Sequence, residues 1–280
     1  LESPLNREDF AIQFAVTACR EALKDLPESG RGRVAIVLGS NFGAMARTES
    51  LLANRTDTGT SFMGDVTDRV AEVLGLGGAR CTVSLSCASG NAAIGRAADL
   101  IRSGRADIAL ACGYDAISEV VWAGLCSLRA MTQDTLRPFD RRRDGTIFAE
   151  GAGAMLLESA EHARRRNAAP QGRFLGWTST SNAFHMTHPD PDGAGMARAM
   201  RDALRDAQLP ADAVNHINAH ATGTPTNDKL ETSAIKAVFG DRARSIPVNG
   251  IKSMLGHAMG AASALEAIAS VLTIREGIIP

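Results

Sequence analysis

Three runs in this chain are apolar without alternation and stop abruptly: Val34–Leu38 before Gly39, Ile108–Cys112 before Gly113, and Ala152–Leu157. A strand with one wet face alternates apolar and polar residues, so a run that is apolar throughout is buried on both faces. Stretches of helical spacing separate these runs. Ala11, Ala15, Ala18, Cys19, Ala22, Leu23 and Leu26 share one helical stripe, and residues 89–102 carry Ala92, Ala93 and Ala97, with Gly104 placed for a left-handed stop. The second half repeats the alternation. It predicts helix over Gly195–Leu209, strand over Val214–Ala219, helix over Asp228–Phe239 ended by Gly240, strand over Ile246–Val248 and helix over Gly260–Arg275. Buried strands alternating with helices of this length require an α/β fold with mainly parallel sheet covered on both faces. Thr56–Gly64, Gln133–Gly145 and His185–Gly193 gather Gly, Pro, Asp and polar residues and read as loops.

Charge and cysteine content exclude several function classes. Lys plus Arg is 30 and Asp plus Glu is 31, a net charge of −1, which lacks the footprint of a nucleic-acid binder or an anionic-membrane binder. No stretch reaches the ~18 uninterrupted apolar residues of a membrane span, and Leu1–Phe10 has no basic-then-apolar signal pattern. The five cysteines (Cys19, Cys81, Cys87, Cys112, Cys126) form an odd set without C-x-x-C spacing. That argues against a metal site or a disulfide framework and fits a reducing compartment, so a cytoplasmic protein is expected.

Three constellations could carry chemistry. In T-V-S-L-S-C-A-S-G-N-A-A-I-G, the run Thr82–Leu85 leads into a small-residue helix beginning near Ala88, which sets Cys87 at a strand-to-helix junction. Amides at a helix N-terminus favour a thiolate and can receive a developing oxyanion. A small buried residue is the commoner role for a cysteine, and Cys19, Cys81, Cys112 and Cys126 keep it. In H-I-N-A-H-A-T-G-T-P-T-N-D-K-L-E, His220 closes an apolar strand, Thr222–Pro225 turn the chain, and Asp228 and Glu231 open the next helix. Taken alone, this reads slightly better as a helix cap with a core histidine. In N-G-I-K-S-M-L-G-H-A-M-G-A-A-S-A, Lys252 and His257 precede an Ala-rich helix. Lys252 either snorkels or is held by a carboxylate, for which Glu231 is the candidate.

S-L-S-C-A-S-G, A-H-A-T-G-T-P-T-N-D-K-L-E and N-G-I-K-S-M-L-G-H-A-M-G-A-A resemble, in order and separation, the Cys, first His and Lys/His motifs of the β-ketoacyl-acyl-carrier-protein synthases. R-P-F-D-R-R-R-D-G-T-I-F-A-E-G-A-G-A-M-L-L-E and S-N-A-F-H-M-T-H-P resemble connecting segments of the elongating, ketoacyl synthase II branch. The resemblance runs over nearly the whole chain. It implies a thiolase-like α/β fold of two similar halves in α-β-α-β-α layers, with mixed, mostly parallel sheets. The halves would be residues 1–165, carrying the nucleophile, and 166–280, carrying the two histidines and the lysine.

The resemblance implies that Cys87 is the acyl-accepting nucleophile. His220 and His257 would support decarboxylation, Lys252 would be the buried lysine beside them with Glu231 its partner, and Asp228 a supporting residue. Thr222 and Thr224 would touch the phosphopantetheine arm of an acyl carrier protein. No cofactor is implied beyond that carrier-borne arm. A homodimer is the usual assembly, and a heterodimer with a ketosynthase-like subunit is the other.

Family members usually start before the region matching Leu1 and continue past Pro280 to a Gly-Phe-Gly-Gly-type loop, so this sequence is expected to be part of a longer protein. Ala221 and Asn227 stand where the family usually has Gly. Ile147 and Phe148 are the nearest guesses for residues setting pocket depth, and Arg141–Arg143 form either a carrier-docking rim or a solvated loop. A biosynthetic thiolase would need a second catalytic Cys after Cys126, and there is none. The alternatives are a non-catalytic partner subunit of the chain-length-factor type and an inactive acyl-binding fragment.

Overall fold

The computed structural model describes residues 10–53, 62–185 and 188–280. They cluster into two compact units that interleave along the chain. The first runs to Arg129 and takes up Phe148–Gln171 and His257–Val271; the second holds Ala130–Ile147, Gly172–Gly256 and Leu272–Pro280. His257, expected in the C-terminal half, therefore belongs to the same unit as Cys87.

The first unit opens with α1 (Phe10–Ala22), α2 (Glu28–Arg31), β1 (Ala35–Gly39), α3 (Met45–Ala53), α4 (Met63–Leu74) and β2 (Arg80–Val83). It continues with α5 (Ser89–Arg102), β3 (Ile108–Asp115), α6 (Glu119–Ser127), β4 (Gly151–Glu158) and α7 (Ala160–Arg165). Its sheet has the order β2-β1-β3-β4. β1 pairs in parallel with both β2 and β3, and β4 runs antiparallel to β3. Every residue of β1 and β3 is buried, as the unalternated runs require.

One face of this sheet packs with α1 and α4 through Ala15, Cys19, Val66 and Val70 against Ile36, Leu38 and Leu110. The other packs with α5 through Ala93, Ile94 and Ala97 against Val37, Ala109 and Ala111. Gly39 is where sheet and helix approach most closely: a Cβ there would stand 2.2 Å from the Ser89 carbonyl oxygen. A hydrogen bond with Cys112 and then burial hold the Cys19 thiol well above its ordinary pKa, so this core cysteine is a packing residue.

The second unit contains α8 (Ala194–Asp206), β5 (Ile217–Asn218), α9 (Pro225–Phe239), β6 (Val248–Asn249) and α10 (Lys252–Leu255). β5 and β6 pair in parallel. The last helix, α11 (Ala262–Glu276), has its residues up to Val271 in the first unit.

Most expected elements appear close to their expected bounds, and α5 stops before Gly104 at φ +70°. The strand expected over Val214–Ala219 shrinks to two residues, because a 3₁₀ turn at Ala211–Ala213 precedes it and backbone pairing with β6 covers only Ile217 and Asn218. Of the loop expected at Thr56–Gly64, residues 56–61 lie outside the described residues. Met63 and Gly64 are helical, started by the Asp65 carboxylate accepting the Phe62 amide at 2.8 Å. The 186–187 part of the His185–Gly193 loop also lies outside the described residues.

Gly39→Ala tests the closeness of sheet and helix. It is expected to destabilise the first unit by about 2 kcal/mol or more, since the clash is with backbone. The measurement is the urea unfolding midpoint, and an unchanged midpoint contradicts the packing described.

Candidate active site

In the first unit the chain leaves β2, passes through Ser86 at φ +50°, and presents half-buried Cys87 ahead of α5. Ser89 holds this turn shut. Its hydroxyl accepts the Leu85 amide at 2.9 Å and faces the carbonyls of Ser86 at 2.7 Å and Ser40 at 3.2 Å. The amides expected to be open at this helix start are largely committed. Ala88 N–H donates to Leu85 O, Ser89 N–H to Ser86 O, and Asn91 N–H to the Ser263 hydroxyl. What the helix start offers the Cys87 sulfur is therefore its dipole more than free amides of those three residues.

His257 belongs to the same unit. Cys87 Sγ and a ring nitrogen of His257 lie within 4.8 Å of each other. The His257 backbone is fixed by its carbonyl accepting the Ala149 amide at 3.0 Å, and the Phe148 ring stands 5.7 Å from the imidazole, tilted 31°. His257 Nδ1 faces the Met259 amide at 3.2 Å. An amide can only donate, so in the neutral imidazole the proton sits on Nε2.

Sequence reasoning missed the polar centre of this unit. Asp115, fully buried at the end of β3, accepts the Ser40 hydroxyl at 2.6 Å and the Gly260 amide at 2.6 Å. It also takes the amides of Asn41 and Phe42 at 3.0 Å each. Burial raises its pKa, and these hydrogen bonds oppose the rise. The available signal was a lone carboxylate closing an otherwise apolar strand run.

The second unit gathers His220, Lys252, Glu231, Asp228, Thr222 and Thr224. The Asp228 and Glu231 side chains turn back from α9 to the loop before it. Glu231 accepts the amides of His220 at 2.6 Å and Ala221 at 2.9 Å, and Asp228 accepts those of Gly223 at 3.1 Å and Phe139 at 2.7 Å. Asn227, in place of the usual Gly, donates from its side chain to both carboxylates, at 3.2 and 3.3 Å. The Thr222 and Thr224 hydroxyls pair at 2.9 Å.

Lys252 is 1% exposed. Its Nζ meets His220 Nδ1 at 3.2 Å and donates to the His220 carbonyl at 2.6 Å. An ammonium against Nδ1 leaves the His220 proton on Nε2, as in His257. Desolvation raises the Glu231 pKa, opposed by the two amides it accepts, while Asp228 adds to the rise and Lys252 opposes it. Arg143 turns inward from its arginine run, donating to Pro225 O at 3.0 Å and lying 3.7 Å from Asp228; Arg141 and Arg142 are exposed.

Ala221 adopts φ +48°, which explains why Gly is usual there. Its methyl in turn requires Gly250, where a Cβ would stand 2.2 Å from Ala221 Cβ and no closer than 3.7 Å to anything else.

The family model described as "Beta-ketoacyl synthase, N-terminal domain" matches residues 2–163, and "Beta-ketoacyl synthase, C-terminal domain" matches residues 171–280. The chain belongs to the β-ketoacyl synthase family. It is 34% identical over 297 residues to a 3-oxoacyl-[acyl-carrier-protein] synthase 2 of Coxiella burnetii, covering 99% of this chain and 72% of that protein. It is 37% identical over 303 residues to the tetracenomycin polyketide synthase ketoacyl synthase alpha subunit of Streptomyces glaucescens, covering 97% and 70%. Among solved structures, the ishigamide ketosynthase/chain length factor matches with TM-score 0.89 and 38% identity over 99% of this chain and 72% of that one. The thiolase-like α/β fold with mixed, mostly parallel sheet is therefore as expected. Among the described residues no helix is long and apolar enough to cross a membrane.

Two expectations follow for this ketosynthase-family site. Gly250→Ala should lower the urea midpoint sharply, and Ala221→Gly should restore most of the loss; an unrescued double variant contradicts the contact. Because the folded-state pKa of Glu231 is raised, its contribution to stability is full below the ordinary glutamate pKa and is lost as pH rises through the raised value. The stability gap between the native chain and Glu231→Gln should therefore shrink as pH rises from 4 upward, measured by urea unfolding across pH. A gap that widens reverses the sign.

Proposed function

We propose that the chain is the catalytic part of a decarboxylating condensing enzyme, with Cys87 as acyl acceptor. The observation carrying this reading is the Cys87 thiol at a strand–helix turn with a His257 nitrogen within 4.8 Å. The thiolate attacks the carbonyl of an acyl-carrier-protein thioester, an S–C bond forms, and the carrier thiol departs with a proton. Malonyl-acyl-carrier protein follows. Its carboxylate leaves as CO₂, and the electron pair left behind becomes a thioester enolate.

That enolate oxygen needs neutral hydrogen-bond donors. An imidazole whose Nδ1 is engaged presents Nε2–H, and both His257 and His220 have Nδ1 engaged, by the Met259 amide and by Lys252. Glu231 and Asp228 fix the backbone that carries His220, and Thr222 and Thr224 are assigned to the phosphopantetheine arm. The enolate carbon then attacks the acyl-Cys87 carbonyl, a C–C bond forms, and the sulfur leaves as thiolate. The product is a 3-oxoacyl-acyl-carrier protein two carbons longer. Loss of CO₂ supplies the driving force, and the acyl groups travel on the carrier, so the reading calls for no cofactor.

The partners on this reading are an acyl carrier protein and either a second copy or a ketosynthase-like subunit, in a cytoplasmic fatty-acid or polyketide pathway. The name of the Coxiella relative supports the carrier protein, and that of the Streptomyces relative supports a subunit of a polyketide synthase. Similarity to a solved ketosynthase/chain length factor pair favours one second reading, a non-catalytic partner subunit. Cys87 itself opposes it.

Intact-mass analysis after incubation with an acyl thioester separates the two readings. An acyl-sized mass gain that disappears in Cys87→Ala is the expected result. No gain in the native chain sinks the nucleophile assignment and leaves the partner subunit and the inactive acyl-binding fragment.

A further inference from the structure

We propose that Asp115 is a positioning residue for the Cys87–His257 pair. It acts through a buried hydrogen-bonded line, Ser89–Ser40–Asp115–Gly260, that joins the backbone carrying the thiol to the backbone carrying the imidazole. The proposal rests on the reading of Cys87 and His257 as a working pair.

Each link of the line lies within the first unit, and Ser89, Ser40 and Asp115 are all fully buried. At one end Ser89, two residues after Cys87, closes the nucleophile turn and shares its one hydroxyl proton between the Ser86 carbonyl at 2.7 Å and the Ser40 carbonyl at 3.2 Å. In the middle, the Ser40 hydroxyl donates a hydrogen bond to Asp115 Oδ1 at 2.6 Å and accepts those of the Gly43 amide at 2.7 Å and the Phe42 amide at 3.2 Å. At the other end, Asp115 Oδ2 takes the Gly260 amide at 2.6 Å. Gly260 is three residues from His257, and the intervening Met259, at φ +50°, turns its own amide onto His257 Nδ1. The carboxylate thus fixes the Met259–Gly260 peptide, next to the Ala258–Met259 peptide whose N–H fixes the imidazole.

The line has little slack. A Cβ at Gly260 would stand 2.7 Å from Asp115 Oδ2 and 2.8 Å from the Asn41 nitrogen, so no other residue fits there without moving the carboxylate. A Cβ at Gly113, two residues before Asp115, would stand 2.7 Å from Gly260 O and 2.9 Å from Gly90 Cα. The two segments are in backbone contact and cannot slide past each other. All the donors around Asp115 are N–H or O–H groups, which two carboxylate oxygens satisfy. An amide in its place would aim an NH₂ at donors and push one segment away.

The test follows the alkylation of Cys87 by iodoacetamide, localised by peptide mass mapping, against pH in the native chain, Asp115→Asn, His257→Ala and the double variant. Asp115→Asn should slow alkylation at pH 7 about tenfold, the scale of a small misplacement. It should also displace the pH profile as His257→Ala does, and the double variant should react no slower than His257→Ala alone. Multiplying losses, or a native profile in Asp115→Asn, overturn the proposal, because a purely structural role leaves the pairing intact. If His257→Ala itself leaves the Cys87 profile unchanged, the paired reading falls and this proposal falls with it. Should Asp115→Asn fail to fold, Ser40→Ala removes one donor and keeps the carboxylate. A smaller slowing, again absent on top of His257→Ala, supports the proposal, and native reactivity overturns it.

Discussion

The buried carboxylate of Asp115 is the constraint around which the first unit is arranged. It sits at the end of β3 and satisfies donors from the loop after β1 and from the segment ahead of α11. Those segments are far apart in sequence, and none could be buried with its amides unpaired. One side chain with two oxygens discharges that requirement for all of them. The cost is a carboxylate whose charged form is disfavoured by burial. The apolar packing on both faces of the sheet then holds an arrangement that the polar centre has already defined.

The second unit solves the same problem with different parts. Its strands are two residues long, too short to organise the loop that follows β5. Asp228 and Glu231, one turn apart on α9, reach back and accept the amides of Gly223, His220 and Ala221. The helix serves as a rigid arm from which two carboxylates shape a loop. Lys252 adds a positive charge that meets both the imidazole and the carbonyl of His220. In each unit the histidine is therefore oriented by a donor on Nδ1, an amide in one and an ammonium in the other.

Much of this was legible in the sequence, because burial on both faces leaves a compositional trace. β1 and β3 announced themselves as unalternated apolar runs, and α5 as a small-residue stretch between a reactive-looking Cys87 and Gly104; β4 also showed as an apolar run, but only its Gly153 is buried and the rest is half-buried. α3, α4 and α6 were harder to see. The α6 stripe is weak, and its start is shared between the local cap Ser118, which accepts the Val121 amide, and Glu49, remote in sequence, which accepts the amides of Glu119 and Val120. Ser40 and Ser89 were invisible, and Asp115 showed only as a carboxylate closing an apolar run, for a related reason. Each is an ordinary polar residue whose importance lies in partners 49 to 145 positions away. Motifs reveal residues that meet chemistry; they do not reveal the residues that hold those in place. Arg143 shows the converse, a charge in a basic run that faces inward.

Ala221 and Gly250 carry a consequence for how such a chain can change over time. With glycine at 221, a Cβ at position 250 loses its 2.2 Å clash and meets nothing closer than 3.7 Å among the described residues. Once alanine occupies 221, that freedom is gone. The left-handed backbone at 221 makes alanine a mildly strained occupant, and its methyl closes the adjacent position to everything but glycine. The two sites are therefore epistatic, and the order of events matters: a lineage that has already filled position 250 cannot acquire the methyl at 221 without first giving up its own. A single carbon atom has made one substitution the gatekeeper of another 29 residues away.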